Sequence, residues 1–239
     1  MRDDVRTILF ALAVCLVCSL VLSGTAAALR ERQRTNILLD RQKNILKALG
    51  VPLKREDGAK LGAGDVQRLF AEHMKTVWLD ADTAEPVGPE RRPAPEEDGI
   101  PPGLRPVYIW ERAAAPRYVV PIRGRGLWGM MYGYLALDSG LSTIGGLTFY
   151  KHNETPGLGA EIEKSWFQEQ FEGKRLYRDG DPVDFEVVKG GVERKFPDGS
   201  PRAVDAISGA TKTSVGVEET LRSAAKNYDA YFDRLRDRG

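Results

Sequence analysis

The residues that could do chemistry in this chain are few, and the most suggestive is a hydroxyl. The stretch DAISGATKTS, Asp205 to Ser214, sets Thr211 behind Ser208, Gly209 and Ala210 and just ahead of Lys212. It holds no cysteine, no histidine and no acid–base pair, and a threonine hydroxyl is a poor nucleophile without an activating base. What the stretch offers instead is position. Thr211 precedes a predicted helix start near Thr213–Ser214, where unpaired backbone N–H groups and the Lys212 charge favour a phosphate. The same Ser and Thr residues serve equally well as a plain helix cap.

Other combinations lead to narrower chemistry. Cys15 and Cys18 form a C-x-x-C inside an apolar run, on one helical face at i, i+3. Two thiolates cannot complete a four-ligand metal or cluster site, so packing by small, soft side chains is the preferred reading. His73 and His152 are far apart, and with two cysteines they do not build a usual zinc site. No Ser-His-Asp or Cys-His arrangement suggests a hydrolase. Gly124-Arg-Gly126-Leu-Trp128-Gly129 matches G-x-G-x-x-G, but the segment that follows it, MMYGYLALD, alternates like a strand. A dinucleotide fingerprint needs a helix there, so a glycine hairpin with Trp128 packed nearby is the better reading. In His152-Asn-Glu154-Thr155-Pro-Gly-Leu158-Gly159 the proline and glycines force an irregular loop, open either to a plain turn or to close backbone approach by a ligand. The sequon Asn153-Glu-Thr155 is short enough to arise by chance.

The elements that must position these residues follow from periodicity. Residues 1–6 are a short charged tail. Residues 7–29 carry no charge and are long enough for one transmembrane helix. A cleaved signal peptide is the rival, with Thr25-Ala26-Ala27-Ala28 as its cleavage site; the length of the apolar run and the helical segment behind it favour the anchor. Residues 30–50 read as a juxtamembrane helix with Ile37, Leu38, Ile45, Leu46 and Leu49 on one stripe, stopped by Gly50 and Pro52. Residues 51–239 form the main domain. It should contain a helix over 65–76, a Pro-rich surface loop over 85–106, and strands over 107–112, 117–122, 127–136 and 144–150. A helix over 165–171, a strand over 183–189 and a terminal helix over 214–236 follow. Grouped strands followed by helices predict an α+β class: an N-terminal transmembrane helix, then a largely antiparallel sheet with flanking helices.

Composition sets the outer bounds. The 239 residues are 42% hydrophobic and 29% charged, which suits a globular domain with an attachment. The formal net charge of +1 shows no basic excess of the kind a nucleic-acid binder carries. Flanking charge is lopsided. Arg30, Arg32, Arg34, Arg41 and Lys43 follow the apolar run, whereas Arg2 and Arg6 precede it beside Asp3 and Asp4. Taken alone, that asymmetry puts the large domain in the cytoplasm.

Several motifs agree, in order, with one family. DAISGAT with its following residues, HNETPGLGAEI over 152–162, GRGLWGMMYGYLAL over 124–137, and the apolar helix followed by DRQKNIL from Asp40 together resemble the C subunit of the bacterial Na+-translocating NADH:quinone oxidoreductases (Nqr). The resemblance covers nearly the whole chain. The G subunit of the Rnf complexes shares the ETPGLG and SGAT signatures, but the GLW segment, GGLTFYKH and the Trp166 to Lys174 region are more similar to the Nqr version. The resemblance implies an FMN joined by a phosphoester to the last threonine of SGAT, here Thr211. It implies that a separate flavin transferase attaches the group from FAD and that Asp205 belongs to the attachment signature. It places the FMN phosphate near Ser208, Gly209, Ala210, Lys212 and Thr213, and the ring system near Glu154, Thr155, Leu158 and Gly159, with Leu127 and Trp128 as further wall. No residue is expected to be catalytic in its own right, and no metal is expected.

The same resemblance implies an electron-relay component of a sodium-pumping NADH:quinone reductase. It would work with the A, B, D, E and F subunits, taking electrons from an iron–sulfur centre and passing them to a flavin in the B subunit. It implies a single-pass inner-membrane protein whose FMN domain faces the periplasm, against the charge asymmetry. The alternatives are an Rnf-type protein with the same covalent FMN and a flavin-free, membrane-anchored assembly protein.

Overall fold

Helix α1 (Arg2–Ala48) is continuous from the apolar run into the folded domain, so residues 2–6, 7–29 and 30–48 are parts of one 47-residue helix. The computed structural model describes residues 2–54, 57–93, 99–112 and 115–237. The apolar part of α1 is long and apolar enough to cross a membrane and is wholly exposed. Its last turns are different: Ile45, Leu46 and Leu49 are fully buried. Each such side chain stabilises by roughly 1.5–3 kcal/mol, so the end of α1 is a core element of the domain.

The stop at Gly50 has a clear cause. Gly50 takes φ +67°. Its N–H bonds the Lys47 carbonyl at 2.9 Å, and the Val51 N–H bonds the Leu46 carbonyl at 3.0 Å, the paired bonds of a Schellman ending. Arg117 then donates from Nη1 to the Leu49 carbonyl at 2.6 Å. Where α1 crosses the sheet, a Cβ on Gly146 would lie 2.2 Å from the Ala48 carbonyl oxygen, so only glycine permits that approach.

Five strands form an antiparallel meander in the order β1-β2-β3-β4-β5: β1 (Met74–Asp80), β2 (Leu104–Trp110), β3 (Arg117–Arg125), β4 (Met130–Leu137) and β5 (Ile144–Lys151). Helix α2 (Ala63–His73) leads directly into β1. The sequence pattern runs that helix to residue 76 and misses β1. Residues 74–76 instead pair with Trp110, Ile109 and Tyr108, a long-range match that local periodicity does not show. Likewise β2 begins inside the span predicted as surface loop, whose residues 94–98 lie outside the described residues.

Beyond the sheet come α3 (Ser165–Gln168), a 3-10 turn over Glu169–Phe171, β6 (Tyr177–Arg178), β7 (Asp181–Pro182), β8 (Glu186–Val188), α4 (Val192–Lys195), β9 (Ala203–Asp205) and α5 (Thr211–Arg236). The strand predicted over 183–189 is confined to β8, which pairs in parallel with β9.

Period-2 alternation sends β-strand side chains to two cores. On one face α1 and α2 cover Tyr108, Trp110, Val119, Tyr134 and Ala136. On the other, α5 lays Val217, Leu221, Ala224, Ala225, Tyr228 and Phe232 against Val120, Ile122, Leu135 and Phe149. The α+β architecture with a largely antiparallel sheet is therefore as the sequence predicts.

On the α1 face, Tyr134 stacks on Tyr150 with centroids 5.3 Å apart, and Tyr108 meets Tyr134 edge-on at 6.2 Å. Burial disfavours the phenolate, raising all three and pushing Tyr108 up to about 12. Unfolded tyrosines ionise near pH 10, so these groups contribute stability that is complete below about pH 10 and lost as pH rises toward about 12. The urea midpoint of the detergent-solubilised chain should fall between about pH 8 and pH 11, and Tyr108→Phe should flatten that fall. A midpoint that does not change over this range would contradict the assignment.

Candidate functional site

Three segments converge at the start of α5. The first is the turn that carries Thr211. After β9 the chain reverses through Gly209 at φ +74°, and the Ala210 N–H bonds the Ile207 carbonyl at 3.1 Å. Thr211 is the first residue of α5, two to three residues earlier than the pattern predicts. The reason is Ser214, a residue the sequence reading leaves as a cap. Its Oγ accepts the Ile207 N–H at 3.2 Å and donates to the Ala210 carbonyl at 3.0 Å, while its own N–H makes the first helical bond to Ala210 at 3.0 Å. Ser214 thus binds the turn from inside the helix. Ser208, Gly209, Thr211 and Lys212 are exposed, and Ala210 is buried. Among the described residues, no acceptor takes the N–H groups of Thr211, Lys212 or Thr213 and none pairs with the Thr211 hydroxyl.

The second segment is the loop after β5. The Thr155 carbonyl accepts the Leu158 and Ala160 N–H groups, both at 3.1 Å, which folds the loop back through Gly157. Thr155 and Leu158 are exposed, and Gly159 is buried. The loop touches the Thr211 turn directly: a Cβ on Gly209 would lie 2.9 Å from Leu158 Cδ2.

The third segment is the hairpin between β3 and β4, closed by the Gly126 N–H on the Gly129 carbonyl at 2.8 Å. Its glycines are spacers rather than a phosphate loop. A Cβ on Gly124 would collide with Thr220 Oγ1 at 1.8 Å and one on Gly126 with Glu154 Oε1 at 2.5 Å, while one on Gly129 would only crowd Asn153 Nδ2 at 3.2 Å. Gly216 on α5 completes the fit, since its Cβ would lie 2.2 Å from the Arg125 carbonyl oxygen.

The outcome is an exposed hydroxyl at the positive end of a long helix, with unpaired N–H groups beside it and apolar side chains on all three segments. Leu127 is 49% exposed, Trp128 66%, Leu158 43% and Val215 45%. Val215 was not singled out from the sequence; its place four residues after Thr211, on the same helical face, is the signal that would have found it. A phosphate fits the N–H groups, and a flat aromatic ring system fits the apolar rim.

Other predicted residues sit differently. Thr213 is buried and turns its hydroxyl to Glu154, so its side chain does not face a phosphate. Asp205 accepts the Val192 N–H at 2.6 Å and gives its own N–H to Gln170 Oε1 at 2.9 Å. It therefore ties β9 to the start of α4, on the approach to the Thr211 turn. Cys15 and Cys18 are exposed on α1.

Residues 126–226, which carry the hairpin, the loop and the start of α5, match the FMN-binding domain family model. The C subunit of the Na(+)-translocating NADH-quinone reductase from Yersinia pestis is 35% identical over 238 residues, covering 90% of this chain and 86% of its own length. The C subunit from Pseudomonas aeruginosa is 32% identical, covering 98% and 97%. The crystal structure of the C subunit from Parabacteroides distasonis superposes with a TM-score of 0.70 at 29% identity, over 85% of this chain and 96% of that one. Shewanella oneidensis NqrC gives 0.67 at 25%, over 86% and 99%. The chain belongs to the family of Na+-translocating NADH-quinone reductase C subunits.

Ser214→Ala tests the local reading. It leaves the buried Ile207 N–H without its acceptor and should lower stability by about 1–3 kcal/mol, read from the urea midpoint. An unchanged midpoint would show that the turn does not depend on this hydroxyl.

Proposed function

We propose that this chain is the covalent FMN carrier and an electron-relay component of a sodium-translocating NADH-quinone reductase, with Thr211 as the attachment residue. The observation that carries the reading is the Thr211 hydroxyl itself. It is exposed at the first position of α5, unpaired among the described residues, with unpaired N–H groups and an apolar rim around it.

In the attachment step the Thr211 Oγ–phosphorus bond forms and the pyrophosphate P–O bond of FAD breaks. AMP leaves and the hydroxyl gives up its proton. No described residue is hydrogen-bonded to the Thr211 hydroxyl to take that proton, which agrees with a separate flavin transferase supplying the base. Ser208, Gly209 and Ala210 are small enough to leave the hydroxyl accessible. Once attached, the phosphodiester would be held by the N–H groups of Thr211, Lys212 and Thr213, and the Lys212 charge would favour it. Leu127, Trp128, Leu158 and Val215 would present apolar surface to the ring system, with exposed Thr155 at the loop side and Gly159 buried behind it.

FMN supplies one-electron transfer, for which the protein provides position and electrostatics. We assign the donor as a membrane iron–sulfur centre and the acceptor as a flavin in the B subunit, within a complex that also holds the A, D, E and F subunits. We also place the FMN domain in the periplasm. The family resemblance supports this side over the one the flanking charge favours: Arg41 and Lys43 lie in the part-buried end of α1 packed on the domain, while Arg30, Arg32 and Arg34 still follow the span against Arg2 and Arg6 before it.

Thr211→Ala should leave the chain folded, since the residue is exposed, and abolish both its in-gel flavin fluorescence and NADH-driven quinone reduction by the complex. A flavin-fluorescent Thr211→Ala chain would overturn the assignment.

A further inference from the structure

Glu154 is the buried carboxylate of the site, 6% exposed. Oε1 accepts the Trp128 N–H at 2.9 Å, and Oε2 accepts the Thr213 hydroxyl at 2.5 Å. The space around it is cut to its shape. A Cβ on Gly126 would lie 2.5 Å from Oε1, and one on Gly159 would lie 2.5 Å from Oε2 and 2.6 Å from Thr213 Oγ1. The backbone is held as well, since the Glu154 N–H bonds His152 Nδ1 at 3.2 Å. His152 Nε2 in turn faces Glu163 Oε2 at 3.5 Å.

A buried carboxylate is costly unless it is hydrogen-bonded. Here its donors come from two other segments, and Thr213 stands in the first turn of α5, where the helix dipole favours negative charge. A loop that merely reversed direction would need no such group. The bonds join the hairpin tip and the loop to the helix that carries Thr211.

We propose that Glu154 is a positioning residue of the FMN site: its carboxylate clasps the hairpin tip and the 152–159 loop to the first turn of α5, and so fixes Leu127, Trp128 and Leu158 beside Thr211. Glu154 and Thr213 are buried, and each carboxylate oxygen bonds a donor within the protein, so the two side chains act through their neighbours rather than by touching the flavin. This inference rests on the FMN reading above but makes a claim about the chain with or without FMN.

The test uses the full chain in detergent, produced with and without a flavin transferase, as Glu154→Ala, Glu154→Gln and Thr213→Val. The glutamine can still accept the Trp128 N–H through its oxygen and donate to Thr213 through its amide, so it should restore the clasp. In Glu154→Ala the Trp128 amide should exchange about tenfold faster or more, as expected for a lost hydrogen bond to a charged group. That change should occur in both the flavin-free and the flavin-bearing chain. Intact mass should still show FMN, while flavin fluorescence anisotropy should drop. Thr213→Val should move the same readouts part of the way, and Glu154→Gln should stay near wild type. If Glu154→Ala does not fold, the Thr213→Val exchange rate decides. Unchanged Trp128 exchange and anisotropy in Glu154→Ala, or in Thr213→Val where that variant decides, would overturn the clasp, as would Glu154→Gln behaving like Glu154→Ala. A wild-type chain without FMN would instead defeat the cofactor reading and leave the exchange result standing.

Discussion

Helix α5 can pack against the β3–β4 hairpin only because glycines stand where the two meet. Gly216 rests on the Arg125 carbonyl and Gly124 on Thr220. A methyl group at either position would push the helix off the hairpin, and with it the turn that carries Thr211. Met131 lies at the same junction, its side chain within 3.1 Å of a Cβ on Gly216 and 3.0 Å of one on Gly126. Close backbone packing here is thus the constraint behind the site. It lets a helix N-terminus, a hairpin tip and an irregular loop share a volume in which ordinary side chains would separate them.

The same logic links the site to the membrane segment. Helix α1 ends in the second core, with the Ala48 carbonyl on Gly146 and the Leu49 carbonyl held by Arg117. Strand β5 therefore receives α1 on one face, through Gly146, and leads at its end into the loop that reaches Thr211. Sheet and helices form one packed unit between the anchor and the exposed hydroxyl. For a chain that carries a redox group, such rigidity keeps the position of that group set by the fold rather than by a flexible tether.

Much of this was legible in the sequence, for local reasons. The α5 stripe at Val217, Leu221, Ala224, Ala225, Tyr228 and Phe232 follows helical spacing, and all six are buried. The alternation after Gly129 argued for a hairpin over a dinucleotide loop, and β4 follows that hairpin. What was not legible depends on distant partners. Strand β1 is set by its register with β2. The start of α5 is set by a left-handed Gly209 and by Ser214 bonding backward, not by a side-chain cap. The Glu154–Thr213 bond spans 59 residues, and nothing in either local pattern distinguishes a clasp from a ligand contact. Family resemblance pointed to Thr211, and the structure leaves that hydroxyl exposed at the first position of α5.

Four hydroxyls lie within seven residues here, and the structure separates them: Ser208 and Thr211 are exposed, whereas Thr213 and Ser214 are buried and hydrogen-bonded. The most direct test is to digest the chain made with an active flavin transferase and to fragment the peptide spanning Asp205 to Ser214 by mass spectrometry. The account predicts one FMN phosphoryl group, on Thr211. An unmodified peptide, or a flavin on Ser208, Thr213 or Ser214, would contradict it.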